Sequence, residues 1–365
     1  MKNLKALFRK EINALSPFTA EKSIESIKKK IGLDEVARLG YNENPLGPSS
    51  IVLTAMEKAL KKTNYYPDST SLELRIKMAK RVGIDEDMVV FSNGGDNCLF
   101  LISCAFINPG DEIIMADQTF SVYRKNTIIM GGLPVLVPLK NYHHDLKTMA
   151  EKITPKTKLI YICNPNNPHG TIIKRKELEK FLQQIPEHVI VILDEAYCEF
   201  VADKNYPNGL DYVIEGNNVI VLRTFSKLYG LAGLRVGYLL GSRDLILGIN
   251  TVKEAFSLSR IAQAGALAAL NDEKHKELTL KCISEGKSYL YEAFDKMKVD
   301  YIPSHTNFIY FDLKIDTEEM CTTLLNQGVF IRPGKLLGSN TCARVTIGSL
   351  KENQKFIATL QQFID

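Results

Sequence analysis

Long apolar runs are missing from this 365-residue chain. Its longest, Val189 to Leu193 and the Ser-interrupted Cys98 to Ile107, fall far short of the ~20 residues a membrane-spanning helix needs. The opening MKNLKALFRKEINAL breaks every apolar cluster with charge, so no secretory leader is expected. Cysteine is scarce and odd in number: seven residues, at 98, 104, 163, 198, 282, 321 and 342, with no CxxC pair. This argues against a disulfide framework and a thiolate zinc site, and it reads as reduced, mostly buried thiols in a cytoplasmic protein. An excess of one charge is missing too. Forty-six Lys and Arg against 42 Asp and Glu leave +4 over the whole chain, too little for the clustered basic footprint of a nucleic-acid binder. There is no fixed-period repeat, low-complexity segment, GxSxG, HExxH or dinucleotide fingerprint. Gly286-Lys287-Ser288 looks like the tail of a P-loop, but Lys281 stands where the first glycine must be. His143-His144 lacks further ligands at workable spacing and is expected in an exposed turn.

What is present is ordinary globular composition, 45% hydrophobic and 24% charged, in a chain long enough for two or three folded units. Residues 1–40 hold amphipathic stretches, one of them Ile24 to Ile31, and read as an arm belonging with a smaller domain. From residue 88 onward β-branched runs alternate with helical patterns: Met88–Phe91, Glu112–Met115, Pro134–Pro138, Lys158–Cys163, Val189–Leu193, Val219–Leu222 and Arg235–Leu240. That alternation predicts an α/β unit over 41–245, a mostly parallel sheet with helices on both faces. A long helical region over 243–298, then strands at Phe308–Phe311, Gly328–Ile331 and Ala343–Ile347 around a helix near 317–326, predict a smaller α+β domain over 246–365.

Ligands of open α/β sheets bind beyond the carboxyl ends of the strands, so the polar strand ends are the candidate site. Asn93-Gly94-Gly95-Asp96-Asn97 is a glycine turn that can aim backbone N–H groups at an anion, although alone it reads sooner as an ordinary strand–helix turn. Asn164-Pro165-Asn166-Asn167-Pro168-His169-Gly170 alone reads as a stiff loop. Asp194, at the mouth of a buried strand, needs a cationic partner. Thr224-Phe225-Ser226-Lys227 and Arg235 gather hydroxyls, an amine and a guanidinium within a dozen residues. Together these groups suit pyridoxal phosphate: an amine for its aldehyde, a carboxylate for its protonated ring nitrogen, and Ser226 with Arg235 for its phosphate.

Over nearly its whole length the chain also resembles the fold type I, pyridoxal-phosphate-dependent class I/II aminotransferases, and within them the histidinol-phosphate aminotransferase group. The segments that carry the resemblance are NENPLGPS (42–49), YPD (66–68), NGGDN (93–97), NPNNPHG (164–170), DEAYCEF (194–200), TFSKLYGLAGLRVGY (224–238) and RVTIGS (344–349). The resemblance implies Lys227 as the Schiff-base lysine and proton shuttle, Asp194 as partner of the ring nitrogen, and Tyr197 and Asn167 at the phenolic oxygen. It implies Gly95, Asp96, Thr224, Ser226 and Arg235 around the phosphate, with Phe120 stacked on the ring. In a homodimer, Tyr66 would reach the neighbouring subunit's cofactor. Arg344 is implied for the substrate α-carboxylate and Arg332 for a distal phosphate, unless Arg332 merely pairs with a surface carboxylate.

Four positions depart from the family pattern. Gln118-Thr119-Phe120 replaces PTY, keeping a ring and losing a hydroxyl. His169 replaces the threonine of NPTG and is either a substrate contact or turned to solvent. NGGDN replaces NGSDE, and Pro17-Phe18 replaces a Pro-Tyr that helps hold substrate phosphate. The expected reaction moves an amino group between glutamate and a small phosphorylated keto compound, imidazole acetol phosphate or another such as dihydroxyacetone phosphate. An aromatic keto acid as acceptor and decarboxylation of a phosphorylated amino acid on the same scaffold are the alternatives. A non-catalytic cofactor-binding protein is disfavoured by the intact Lys227, Asp194 and Arg235 set.

Overall fold

Strands that are apolar on both faces need helices on both faces, and this requirement organises the chain. The computed structural model describes residues 7–16, 28–29 and 32–364. Its strands, in chain order, are β1 (Ala37–Arg38), β2 (Val89–Ser92), β3 (Glu112–Ala116), β4 (Leu133–Val137), β5 (Thr157–Cys163), β6 (Ile190–Asp194), β7 (Val219–Thr224), β8 (Gly237–Leu240), β9 (Asp300–Ile302), β10 (Phe308–Asp312), β11 (Val329–Phe330), β12 (Arg332–Pro333) and β13 (Cys342–Thr346). Seven of them form one sheet in the order β2-β8-β7-β6-β5-β3-β4, parallel except that β8 runs antiparallel to both neighbours. Every residue of β6 is buried, and β5 and β7 each have a single partly exposed position. Each fully buried aliphatic side chain contributes about 1.5–3 kcal/mol, so the four that precede Asp194 in β6 hold its backbone firmly.

Four helices bear on the site: α1 (Ser50–Leu60), α2 (Leu72–Val82), α3 (Gly94–Phe106) and α4 (Val122–Ile129). The Ser49 hydroxyl caps α1 by accepting from Val52 N–H, as expected of serine before a helical run. Beyond the sheet, 243–298 is three helices rather than one: Arg243–Val252, Arg260–Leu270 and Glu273–Met297. Ser259 and Asp272 cap the second and third, and such residues stop one helix as readily as they start the next. The small residues Ala262, Gly265, Ala266 and Ala269 are buried, and their helix packs closely on α1.

A second sheet, β12-β13-β10-β9, is antiparallel throughout. The early residues join this end of the molecule: β1 pairs with β11, and Thr346 N–H donates to the Leu39 carbonyl at 2.7 Å. Among the described residues no helix is long and apolar enough to cross a membrane. Phe18 and most of the Ile24–Ile31 stretch lie outside the described residues.

Strand register puts the site on one edge. Cys163, Asp194 and Leu222 are lateral Cα partners across β5, β6 and β7, and Thr224, Gly237 and Ser92 continue the row across β7, β8 and β2. Because β8 is antiparallel, its first residue rather than its last lies on this edge, which carries Arg235 to the same place as the ends of the parallel strands.

Candidate active site

Successive residues of a strand point to opposite sides, and Asp194 and Glu195 divide their roles accordingly. Glu195 is neutralised by Arg223, whose Nη2 lies 2.7 Å away, and it also accepts from Gly209 N–H at 2.7 Å. Asp194 makes no ion pair among the described residues. Its Oδ1 accepts from Ala196 N–H at 3.1 Å and its Oδ2 from the Tyr123 hydroxyl at 2.6 Å. Burial pushes its carboxyl up to about 6, and the Tyr123 bond is the largest influence in the opposite direction. A buried carboxylate without a cation at the carboxyl edge of a parallel sheet fits a protonated ring nitrogen.

Lys227 follows β7 and reaches across this edge. Its backbone is fixed by the Asn44 side chain, which donates to the carbonyls of Lys227 and Leu228. Its Nζ donates to the Tyr41 and Asn42 carbonyls at 3.3 and 3.1 Å and lies 5.6 Å from the centre of the Tyr197 ring. Burial, and then the nearby Arg344 charge, lower the amine to about 8 from an ordinary 10.5. Only the neutral amine attacks an aldehyde. The rate at which apoprotein captures pyridoxal phosphate is therefore expected to rise with pH to about 8 and level off above it; continued increase to the ordinary lysine value in rapid-mixing absorbance traces would contradict this environment.

A polar chain links the remaining groups. The Tyr197 hydroxyl accepts from Asn42 Nδ2 at 2.9 Å and from Asn167 Nδ2 at 3.5 Å. Asn167 Oδ1 in turn accepts from Arg344 Nη1 at 2.5 Å, and Arg344 Nη2 donates to the Gly40 carbonyl at 2.9 Å. The Arg344 guanidinium stands 5.2 Å from the Phe308 ring centre, which is edge-on to Tyr197. Asn42 adopts a left-handed φ of 56°, and its carbonyl also accepts from Asn307 Nδ2. Asn42 and Asn307 were not read from the sequence as site residues; the left-handed tolerance of asparagine inside NENP was the available signal for the first.

The phosphate-side expectations also meet. Gly94 has φ +84° and opens α3, whose first N–H groups, at Gly95 and Asp96, have no partner within the helix. A Cβ at Gly94 would lie 2.7 Å from Arg235 Nη2, and one at Gly237 would lie 2.6 Å from the Gly94 carbonyl carbon. Only glycine lets the guanidinium and both backbones converge here. Arg235 Nη2 donates to Asp96 Oδ2 at 3.3 Å, and the Thr224 hydroxyl accepts from Ser226 N–H and donates to Ser226 Oγ. A helix N-terminus, a hydroxyl and a planar guanidinium around glycine fit a phosphate monoester. Phe120 follows β3 and meets Tyr123 edge-on at 5.7 Å.

Tyr66, expected at the cofactor of a second copy, lies outside this chain's own cluster; it is 78% exposed and stacks on Phe256 at 4.6 Å. Other expectations resolve differently. His169 is not turned to solvent but wholly buried, because its ring packs edge-on against Tyr310 at 4.7 Å and its Nδ1 accepts from Asn166 Nδ2. Burial lowers its imidazole to about 4, so it is neutral at physiological pH. His144 is likewise buried rather than exposed, held by a hydrogen bond between Nε2 and the Cys163 carbonyl, while His143 is exposed. The cysteines are free, three buried and four partly exposed, so "mostly buried" was too strong. No metal-binding group of His, Cys, Asp or Glu occurs among the described residues. Arg332 lies in a two-residue strand as the Cα partner of Arg344.

Fold and site together define a pyridoxal-phosphate-dependent enzyme of the fold type I architecture. The family model for aminotransferase class I and II matches residues 34–360. Across 98% of its length the chain is 43% identical to histidinol-phosphate aminotransferase of Moorella thermoacetica, covering 92% of that protein. It is 40% identical to the enzyme of the same name from Caldicellulosiruptor saccharolyticus over 98% of its length and 100% of that protein. The crystal structure of histidinol-phosphate aminotransferase from Sinorhizobium meliloti in complex with pyridoxal-5'-phosphate matches with a TM-score of 0.90 at 28% identity, covering 98% of this chain and 97% of that one. This chain belongs to the class I and II aminotransferases. It is a pyridoxal-phosphate-dependent aminotransferase.

Proposed function

We propose that the enzyme moves an amino group between glutamate and a small phosphorylated ketone, imidazole acetol phosphate, whose aminated form is histidinol phosphate. The observation that carries this reading is the pairing of Arg332 with Arg344 across β12 and β13. Directly opposed positions of an antiparallel pair put both guanidinium groups on one face of the sheet, where they can serve the two anionic ends of one ligand, or an anionic end at each arginine in turn. Glutamate has two carboxylates, and the proposed ketone carries a phosphate. The names of the relatives support the same substrate.

Pyridoxal phosphate, when bound, supplies an aldehyde for the amine and a ring that accepts the electrons released at the substrate Cα. Lys227 would hold it through Nζ and carry the Cα proton, a task suited to an amine that titrates near 8. Asp194 would keep the ring nitrogen protonated, and Tyr197 and Asn167 would face the phenolic oxygen. Gly95 and Asp96 N–H, Ser226 and Arg235 would take the phosphate, with Thr224 orienting Ser226, and Phe120 would cover one face of the ring. Arg344 would hold the glutamate α-carboxylate, and Arg332 the distal carboxylate or phosphate. His169, packed behind Asn166, would set the shape of the loop that carries Asn167.

The reading includes a homodimer in which exposed Tyr66 reaches the cofactor phosphate of a second copy. It also includes a division into a cofactor domain (41–245) and a smaller domain (246–365) joined by residues 1–40, which the two separate sheets and the β1–β11 pairing support.

Arg332→Ala is expected to reduce the preference for the phosphorylated ketone over its dephosphorylated form by roughly 10- to 100-fold, the value of a hydrogen bond between charged groups. Steady-state kcat/KM for the two ketones measures it. An unchanged preference would remove Arg332 from the substrate site, and release of CO₂ from a phosphorylated amino acid would favour the lyase alternative.

A further inference from the structure

Asp194 ends the central strand, and among the described residues one side chain beyond its own loop hydrogen-bonds to it. The Tyr123 hydroxyl donates to Asp194 Oδ2 at 2.6 Å, a short bond of the kind made to an ionised acceptor. Tyr123 is held in place on all sides, and its hydroxyl also lies within reach of the Cys163 thiol. It is wholly buried on α4, its ring lies parallel to Tyr161 of β5 at 4.5 Å and 5°, and its edge meets Phe120. The same residue therefore braces both the carboxylate proposed for the ring nitrogen and the aromatic ring proposed to cover the cofactor face.

We propose that Tyr123 is a positioning residue that orients Asp194 and keeps it ionised, so that the cofactor ring nitrogen stays protonated during amino transfer. The inference rests on Asp194 serving that nitrogen and goes beyond it by assigning the group that sets its charge. A phenol buried in this place donates but does not ionise, because burial and the adjoining carboxylate both raise its own titration. It can therefore stabilise the carboxylate form without competing with the ring nitrogen as a charged partner.

The remaining titratable groups that face Asp194 do not supply this. Asp96 and Cys98 on α3, Tyr161 and Cys163 on β5, and Glu195 and Tyr197 after β6 are acidic or neutral there, and the negative charges among them push the carboxyl upward. The nearest cation on the adjoining strand, Arg223, is committed to Glu195. Tyr123 and the Ala196 N–H are the donors that oppose burial.

The test compares holoenzymes carrying ¹⁵N in the cofactor ring. Tyr123→Phe keeps the stacked ring and removes only the donor. The acid limb of the glutamate half-reaction is expected to move up by about one to two pH units, the shift that loss of a hydrogen bond to a charged acceptor produces. The ring-nitrogen resonance should lose its protonated character at correspondingly higher pH. Incorporating 3-fluorotyrosine at position 123, whose more acidic hydroxyl donates more strongly, should move both in the opposite direction. Tyr161→Phe, which removes a neighbouring buried hydroxyl that does not touch Asp194, should move neither.

An acid limb and resonance unchanged by both Tyr123 substitutions, or moved the same way by both, would overturn the proposal. Shifts of equal size in Tyr161→Phe would do the same, since they would report packing alone. Asp194→Asn separates the two readings: if it abolishes ring protonation while the Tyr123 variants change nothing, the assignment of Asp194 stands and that of Tyr123 falls. If Asp194→Asn also leaves the resonance unchanged, both fall.

Discussion

Lys227→Ala is expected to lower amino transfer by about 10⁴-fold or more while leaving pyridoxal phosphate bound. The substitution removes both the nucleophile for the cofactor aldehyde and the amine placed to carry the Cα proton, and positioned proton transfer alone accounts for about 10²–10⁴. The groups proposed for the phosphate do not depend on the lysine: Arg235 is held by Asp96 and Ala232, and Ser226 by Thr224. Equilibrium dialysis should therefore find cofactor retained, and stopped-flow absorbance should find no conversion by glutamate on the wild-type timescale. Added small primary amines should restore part of the rate, because the vacated space opens beside Tyr197 and the Asn42 carbonyl. A variant with a tenth of wild-type activity would contradict the assignment of Lys227.

Asp194→Asn is the second large effect, expected at about 10²–10³-fold in the rate of the half-reaction, the range for loss of one preorganised charge at a reacting centre. The change is nearly isosteric, and β6 is buried along its whole length, so the fold should tolerate it. The amide can still accept from Tyr123 or Ala196, but it cannot hold a proton on the ring nitrogen by charge. Because no cation pairs with Asp194 among the described residues, removing its charge strands no cation and relieves the burial of a charge, which offsets the loss of an acceptor for one of its two donors. The apoprotein should therefore lose little stability above pH 6, and calorimetry of apoprotein and holoenzyme separates the two effects. The sign follows from the titration near 6: the folded carboxyl is harder to ionise than an exposed one, so the cost to stability is complete above about 6 and falls away as the pH drops from there to the ordinary 3.8.

The larger sheet was legible because its strands are continuous apolar runs that end in polar turns. Six of the seven expected segments begin within one residue of the observed strand. The seventh, expected from Arg235, begins at Gly237, because Arg235 takes a left-handed φ of 53° that a strand does not allow. The direction of β8 was not legible. The twelve-residue connection from β7 allows either course, and the apolar pattern is the same for either direction. Short elements escaped for a related reason: β12 has two residues and no periodicity, yet it sets Arg332 opposite Arg344.

Within the site, residues inside contiguous motifs were readable and residues tied together only by the fold were not. Lys227, Asp194, Arg235 and Asn167 lie in dense polar strings after strands. Tyr123 lies in an amphipathic helix 71 positions from the carboxylate it touches, and its tyrosine looks like any other core aromatic. The exposed turn expected for His144, and the solvent-facing alternative for His169, fail for the opposite reason. A histidine in a polar turn reads as exposed, but the turn from 141 to 144 and the loop from 164 to 170 pack on each other, as the Thr171 bond to the Tyr142 carbonyl and the Tyr142–His169 contact show.

The central claim is that this active site transfers an amino group from glutamate, and a single turnover tests it most directly. Holoenzyme is mixed with glutamate alone, and the absorbance of the bound cofactor is followed until it settles. The account predicts that the visible band of the lysine-linked cofactor gives way to the near-ultraviolet band of its aminated form, and that imidazole acetol phosphate then restores the first band. A visible band unchanged by glutamate, together with CO₂ release from a phosphorylated amino acid, would contradict it.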